Sequence, residues 1–256
     1  MITFLNRPAK FFGLGVLYAL FSCMSESNKD QPGICLSFDD RTIDEWYQMR
    51  PLLNQYNAKV TFFVTQFDSL TQEEISKLWI LKSEGHEIGS HGAMHVLAEH
   101  YIKENSYSKY MRLEIDSSIN SMRNANFEPV SFAYPYGASY WFTDYLIGRK
   151  FEIIRNVYAL KTDEDITLAN DIYISPHKNK IVWALGIDVA NHLSKEKITH
   201  ALNRTSEAKK VLMLYGHVPS IKNKKNPYSF DLILLEYILL EAQKRSLKFY
   251  LIKELR

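Results

Sequence analysis

The sequence is short of the features that most readily assign a protein to a class. Its 256 residues include only two cysteines, so no disulfide framework is implied. Neither sign of charge predominates. The 31 Lys and Arg face 29 Asp and Glu, and the net charge of +2 gives no basic field that would argue for nucleic acid or a membrane surface as partner. No internal repeat is evident, and the one low-complexity stretch, "IKNKKN" (221–226), reads as a solvated turn. The apolar run from Phe11 to Phe21 is shorter than the roughly 20 residues a membrane-spanning helix needs. What remains is a chain that is 46% hydrophobic and 13% aromatic, enough to bury one sizeable core in one domain.

The first 22 residues read as an address rather than as part of the fold. Arg7 and Lys10 precede the apolar run, which then meets Leu20, Phe21, Ser22 and Cys23. That tetrad resembles a bacterial lipobox, although Phe21 is bulkier than usual there. The resemblance implies cleavage before Cys23 and a lipid on its thiol, hence a cell-envelope location and contact with a membrane. Ordinary secretion or an uncleaved anchor are the alternatives. Residues 23–32 would then be a polar tether, and 33–256 the folded domain. Cys35, alone in an apolar strand, is expected to be an inert core thiol.

Beyond Pro32, apolar runs alternate with amphipathic segments, a pattern that predicts an α/β layer or barrel. Strands are expected at 34–38, 59–64, 86–90, 130–134, 152–157, 181–187, 211–216 and 248–252. Thr71 with Glu74 forms a capping box ahead of a helix that Gly85 ends. Helical spacing also marks 107–125, 195–209 and 230–246.

Ligand sites in such folds form at the carboxyl ends of the strands. The polar residues collected there are Asp39, Asp40, His91, His95, the run Tyr134 to Gly137, Asp188 and His217. His91 and His95 are four apart, so one helical turn would point both imidazoles the same way, with Gly89 and Gly92 permitting a bend into it. Adding a carboxylate gives two His and one Asp, a donor set suited to a catalytic divalent cation. Of two adjacent aspartates, one can ligate and the other can accept a proton, because the cation keeps both ionised. The bland reading makes one of them a helix cap, although Thr42 is available for that role.

Taken together, "LSFDD", "KVTFFV", "GHEIGSHGAMH", "FAYPYG" and "VLMLYGH" resemble the ordered motifs of the NodB-homology polysaccharide deacetylases, the fourth carbohydrate esterase family, from about residue 33 to about 254. The resemblance implies a distorted, incomplete (β/α) barrel of about seven strands. It also implies metal-dependent removal of acetyl groups from a glycan, most often one containing N-acetylglucosamine, with N- and O-acetyl substrates both open. By the same resemblance Asp39 would be the general base, and Asp40, His91 and His95 the ligands of Zn²⁺, with Co²⁺ or Ni²⁺ able to substitute. The Tyr136 amide would stabilise the oxyanion, and His217 would be the general acid.

Three positions depart from the family pattern: Arg41 stands where glycine is common, Gly92 where a hydroxyl residue often follows the first histidine, and Ala133 where an arginine usually orients the base. Arg41 is a candidate to supply that missing charge, and Asp188 is a candidate to orient His217. Tyr134, Tyr140 and Trp141 are candidate sugar platforms. His86, His100, His177, His192 and His200 are expected to be structural or on the surface. A monomer is expected. The competing reading is a non-catalytic glycan-binding lipoprotein on the same scaffold.

Overall fold

The computed structural model describes residues 31–139, 141–161, 164–220 and 226–256. The leader, Cys23, most of the tether, Tyr140 and nearly all of the basic turn lie outside them. The chain is already held at Gln31, whose carbonyl accepts from the Tyr250 hydroxyl at 2.8 Å, and at Pro32, whose carbonyl accepts from the Lys248 amide at 3.0 Å.

Eleven strands are described: β1 (Gly33–Asp40), β2 (Thr61–Val64), β3 (Glu87–Ser90), β4 (Ser131–Ala133), β5 (Ile153–Tyr158), β6 (Tyr173–Ile174), β7 (Ile181–Gly186), β8 (Val211–Gly216), β9 (Val218–Ser220), β10 (Ser229–Asp231) and β11 (Lys248–Tyr250). Seven of them form a parallel ring in the order β1-β2-β3-β4-β5-β7-β8, and β8 pairs back onto β1 from Gly33 to Phe38. The expected seven-stranded (β/α) barrel is therefore closed by hydrogen bonds. Its distortion lies on two sides. β3 meets β4 through the single register pair Ser90 and Phe132. β1 is also shared along one edge, pairing first with β11 over Gly33–Cys35 and then with β2 over Ser37–Asp40. The last expected strand, β11, is thus a wedge outside the ring, filling the place that β2 reaches only higher up. The short β6, β9 and β10 carry too few residues to show a period of two in the sequence.

Side-chain alternation divides the core. Cys35, Phe63, Ala133, Ile153, Val182, Met213 and Tyr215 fill the barrel interior. Phe38, Phe62, Trp46 and Leu214 belong to the larger layer between strands and helices. Burial pushes the Cys35 thiol well above its ordinary range, as an inert core thiol requires.

The helix Gln72–Ser83 begins with the expected capping box, Glu74 N–H donating to Thr71 Oγ1 while the Thr71 amide donates to Glu74. Gly85 follows at φ +93°. The helical stretch from Tyr107 to Asn124 is interrupted by a π-helical segment, Met111–Asp116. Among the described residues no helix is long and apolar enough to cross a membrane.

Gly89 does not serve a bend. It lies inside β3, where an added Cβ would sit 2.6 Å from both the Phe63 ring and Ser131 Oγ. Gly89→Ala is therefore expected to destabilise by about 1–3 kcal/mol through overpacking. Thermal unfolding should shift down by roughly 2–4 °C per kcal/mol. An unchanged melting temperature would mean that the interior has slack at this layer.

Candidate metal centre and active site

At the carboxyl end of the ring a cavity of about 360 Å³ is lined by Asp39, Asp40, His91, His95, Tyr134, Tyr136, Gly137, Val157, Tyr215, His217 and Tyr228. Every residue proposed from sequence for catalysis or metal binding is among them. The strand ends explain this convergence. β1 delivers both aspartates, but alternation sends them apart: Asp39 turns into the barrel, and Asp40, in the left-handed region at φ +85°, turns toward the rim. A non-glycine residue at that φ costs on the order of 1 kcal/mol, a strain that clusters at functional sites. The Asp40 carbonyl is held by the Thr65 amide at 3.0 Å.

His91 and His95 do not share a helical turn. The segment between β3 and the helix Ala98–Glu104 is a loop, with Gly92 at φ +80° and His95 at φ +57°. The loop achieves what the helix was expected to do. Asp40 Oδ1 lies 3.6 Å from His91 Nε2 and 3.2 Å from His95 Nε2, and one donor atom from each of the three residues falls within 4.8 Å of the others. His91 Nδ1 lies 2.8 Å from the Ala133 carbonyl, which fixes Nδ1 as the protonated nitrogen and leaves Nε2 to face Asp40. Burial holds His91 down at about 4, so the imidazole is neutral at neutral pH. Burial also works against ionisation of Asp40, but the His95 hydrogen bond and the nearby imidazole charges outweigh it and bring its carboxyl to about 2. Two imidazoles and one carboxylate are the donor chemistry of a divalent site with an open position, so the residues present fit such an ion.

Asp39 is 2% exposed, and its Oδ2 accepts from the guanidinium of Arg155 on β5. Arg155 is wholly buried, with its guanidinium 4.8 Å from the Tyr215 ring centroid and 5.4 Å from that of Phe63. Arg41 does not supply the missing charge. It points outward, donating to Ser69 Oγ at 2.6 Å and lying 3.7 Å from Glu74. Sequence reasoning passed over Arg155 inside an expected strand. The available signal was a cation alternating with Ile153 and Val157 on the interior face. Its register partner is Ala133, the position the resemblance had marked as lacking an arginine. Among the described residues Asp39 Oδ1 has no hydrogen-bond partner, and Asp39 belongs to the cavity wall.

Across the cavity, Asp188 grips His217 twice: Oδ1 accepts from its backbone N–H at 3.1 Å and Oδ2 from Nδ1–H at 2.6 Å. The His217 carbonyl accepts from Trp46 Nε1 at 3.1 Å and Thr42 Oγ1 at 3.4 Å. Thr42 therefore does not cap the helix Ile43–Gln48, which has no side-chain cap, and neither aspartate caps it. Asp188 caps no long helix either, because Ser194 caps Lys195–Ala208. Burial lowers the His217 pKa, but the Asp188 hydrogen bond and the charges of Asp39, Asp188 and Asp40 raise it further, leaving it above the ordinary value.

The aromatic walls differ from those expected. Tyr134 is buried and donates its hydroxyl to Thr143 at 3.0 Å, so it offers no face to a sugar. Trp141 is exposed but does not line the cavity. Tyr136 and Tyr228 are both exposed and line it, packed 4.8 Å from His95 and 5.6 Å from His217. Tyr136 takes the left-handed conformation, φ +60°. Of the discounted histidines, His86 is buried and accepts from the Val60 amide through Nδ1, while His100, His192 and His200 are exposed.

Breaking the interior ion pair has a calculable result. In metal-free protein, Arg155→Met leaves Asp39 buried and unpaired and should cost about 3–5 kcal/mol in denaturant unfolding. The double variant Asp39→Asn/Arg155→Met should be more stable than Arg155→Met by about 1–3 kcal/mol. Strictly additive losses would rule out a direct coupling.

Residues 26–148 match the family model described as polysaccharide deacetylase. No curated protein matches the chain significantly. Among solved structures, the family 4 carbohydrate esterase from Streptomyces lividans, in complex with acetate, is 15% identical, with 84% of this chain and 90% of that one covered and a TM-score of 0.56. The peptidoglycan deacetylase PdaC from Bacillus subtilis is 16% identical, over 89% and 91% of the two chains, with a TM-score of 0.55. The Xyl-CE4 domain of a multidomain xylanase from the hindgut metagenome of Trinervitermes trinervoides is 16% identical, over 88% and 89%, with a TM-score of 0.53. Similarity at this level speaks to the fold, and the fold is the NodB-like (β/α) barrel of seven parallel strands. The stretch that matches the polysaccharide deacetylase family model carries Asp39, Asp40, His91 and His95.

Proposed function

We propose that the protein is a divalent-metal-dependent hydrolase that removes acetyl groups from an acetylated glycan, releasing acetate. One observation carries this reading. A three-donor site, a buried carboxylate oxygen without a partner and an aspartate-held imidazole all face one cavity. A module that only bound glycan would have no use for all three.

Asp40, His91 and His95 would hold the ion, with Zn²⁺ favoured by the nitrogen-rich donor set and Co²⁺ or Ni²⁺ able to substitute. When bound, a divalent cation supplies polarisation of the acetyl carbonyl and a lowered pKa for water. The remaining chemistry belongs to the chain. Asp39, oriented by its contact with Arg155, takes a proton from the attacking water as the water oxygen bonds to the acetyl carbon. The Tyr136 amide stabilises the charge that develops on the carbonyl oxygen. His217 then gives its Nε2 proton to the departing sugar nitrogen as the carbon–nitrogen bond breaks, leaving acetate and a free amine. An O-acetyl substrate would follow the same course with an alcohol leaving. Tyr136 and Tyr228 would flank the sugar. The substrate class proposed is a glycan containing N-acetylglucosamine. Through Cys23 the enzyme would be lipid-anchored at the cell envelope, acting as a monomer.

The test is acetate release from chitooligosaccharides and from acetylated xylan by purified, metal-loaded protein, with Asp39→Asn as control. Turnover abolished in the variant is expected. Stoichiometric metal with glycan binding but no acetate would overturn the enzymatic reading.

The division of roles predicts two further outcomes. Replacing His91 or His95 with Ala should abolish both metal uptake and activity. His217→Ala should retain metal and lose about 10²–10⁴-fold in kcat, the usual contribution of a general acid. Equal metal retention in all three variants would break the assignment.

Asp188→Asn removes the main influence raising His217, so its acidic form should be lost at lower pH than in the wild type. The alkaline limb of kcat/KM is expected to move to lower pH while the acidic limb stays. An unmoved alkaline limb would remove His217 as the acid.

A further inference from the structure

Glu114 is fully buried in the π-helical segment and lines no part of the cavity, yet its contacts converge on the loop that carries His95. Its Oε2 accepts from the Met94 amide at 2.6 Å and its Oε1 from the Val96 amide at 3.2 Å. Its own carbonyl accepts from the Ala93 amide at 3.0 Å. The residue between the two side-chain-bound amides is His95, a non-glycine residue at φ +57°. One carboxylate thus binds the amides of both residues that flank a strained histidine. Hydrogen bonds to a carboxylate are stronger than those between neutral groups and can outweigh the strain of one left-handed residue.

Gly92 shows that the clamp is built in. An added Cβ there would lie 2.1 Å from Glu114 Oε1, so the carboxylate occupies the space any side chain at 92 would need. The far side of the loop is fixed as well, because the Gly92 carbonyl accepts from Thr65 Oγ1 at 3.1 Å and the Gln66 amide at 3.2 Å. π-helical turns are rare and recur near functional sites, where the extra residue shifts a side chain's direction. Here the residue so placed is Glu114.

We propose that Glu114 is a positioning residue for the metal centre. By clamping the Met94 and Val96 amides it holds the His95 imidazole toward Asp40 and His91, and so sets the affinity of the site for a divalent cation. The inference rests on the metal-binding reading given above.

The experiment is titration of the full metal-free protein with Co²⁺, read by its visible d–d absorption, for wild type, Glu114→Gln and Glu114→Ala. Glutamine keeps the shape but must turn an NH₂ toward one of the two amides. Outer-shell partners of this kind are worth about 10–100-fold in metal affinity. Co²⁺ binding is therefore expected to weaken about 10-fold in Glu114→Gln and about 100-fold in Glu114→Ala, with an altered band as His95 leaves the set. If Glu114→Ala does not fold, the near-isosteric Glu114→Gln carries the test.

Glu87→Gln is the control for generic stability. Glu87 is likewise buried, accepting from Thr61 and Ser131 hydroxyls and the Lys253 amide at the opposite end of the barrel. It should lower the melting temperature and leave Co²⁺ affinity unchanged. Glu114 variants that melt earlier but bind Co²⁺ with wild-type affinity and spectrum would overturn the proposal alone. A wild type that takes up no Co²⁺ would overturn the metal reading and this inference with it.

Discussion

The site depends on one buried ion pair. Two adjacent carboxylates at the end of a strand that is buried almost throughout would ordinarily lose a charge, because desolvation and mutual repulsion both favour the neutral acid. Arg155 gives Asp39 a charged partner from inside the barrel, and it does so from a strand 116 residues away in sequence. The guanidinium is itself wholly buried and, among the described residues, hydrogen-bonds only Asp39, while it lies over the Tyr215 and Phe63 rings. Each charge is tolerable only because the other is there. The pair therefore fixes β1 against β5 across the interior and lets the two aspartates adopt different roles, Asp39 facing inward and Asp40 facing the rim imidazoles.

Ala133 shows how closely the parts are coupled. Its small side chain lies on the interior face beside Arg155 in the strand register and leaves room for the longer residue. Its carbonyl sits 2.8 Å from His91 Nδ1 and sets that ring's tautomer. One residue on a three-residue strand thus touches the surroundings of both Asp39 and His91. β3 and β4 pair at a single register position beside it, so this seam of the barrel is held as much by side chains as by the ladder.

What could be read from the sequence follows the range over which each interaction acts. Asp39, Asp40, His91, His95 and His217 lie in short motifs at strand ends, and a period of two gives both the strand and the end that matters. The capping box at Thr71 is likewise local, and it is present. Arg155 was not legible as part of the site. Its partner is far along the chain, and only the pairing of β4 with β5 reveals that it stands beside Ala133. The loop at His91–His95 was misread for a related reason. A spacing of four fits one helical turn equally well, and the deciding carboxylate, Glu114, comes from a segment twenty residues beyond Met94. Gly89 was read as a bend because glycine permits one, whereas the constraint is a ring and a hydroxyl on neighbouring strands. Thr42 was read as a cap because its own helix is visible in sequence and the His217 carbonyl is not.

The two imidazoles facing the cavity from opposite sides show why this arrangement suits acid and base chemistry at one pH. Burial dominates at His91 and brings it to about 4, which keeps a lone pair available on Nε2. Burial acts in the same direction at His217, but there the Asp188 hydrogen bond and three carboxylate charges outweigh it and favour the cation. A neutral and a protonated histidine can therefore coexist within one cavity over a common range of pH. Pairs of like groups whose surroundings drive them apart in this way mark acid and base assignments. Here the separation is set by which aspartate each ring can reach. Asp188 holds His217 by both its amide and its ring, while His91 spends its one N–H on a neutral carbonyl. The difference between the two imidazoles in this barrel thus follows from the partner of a single ring nitrogen.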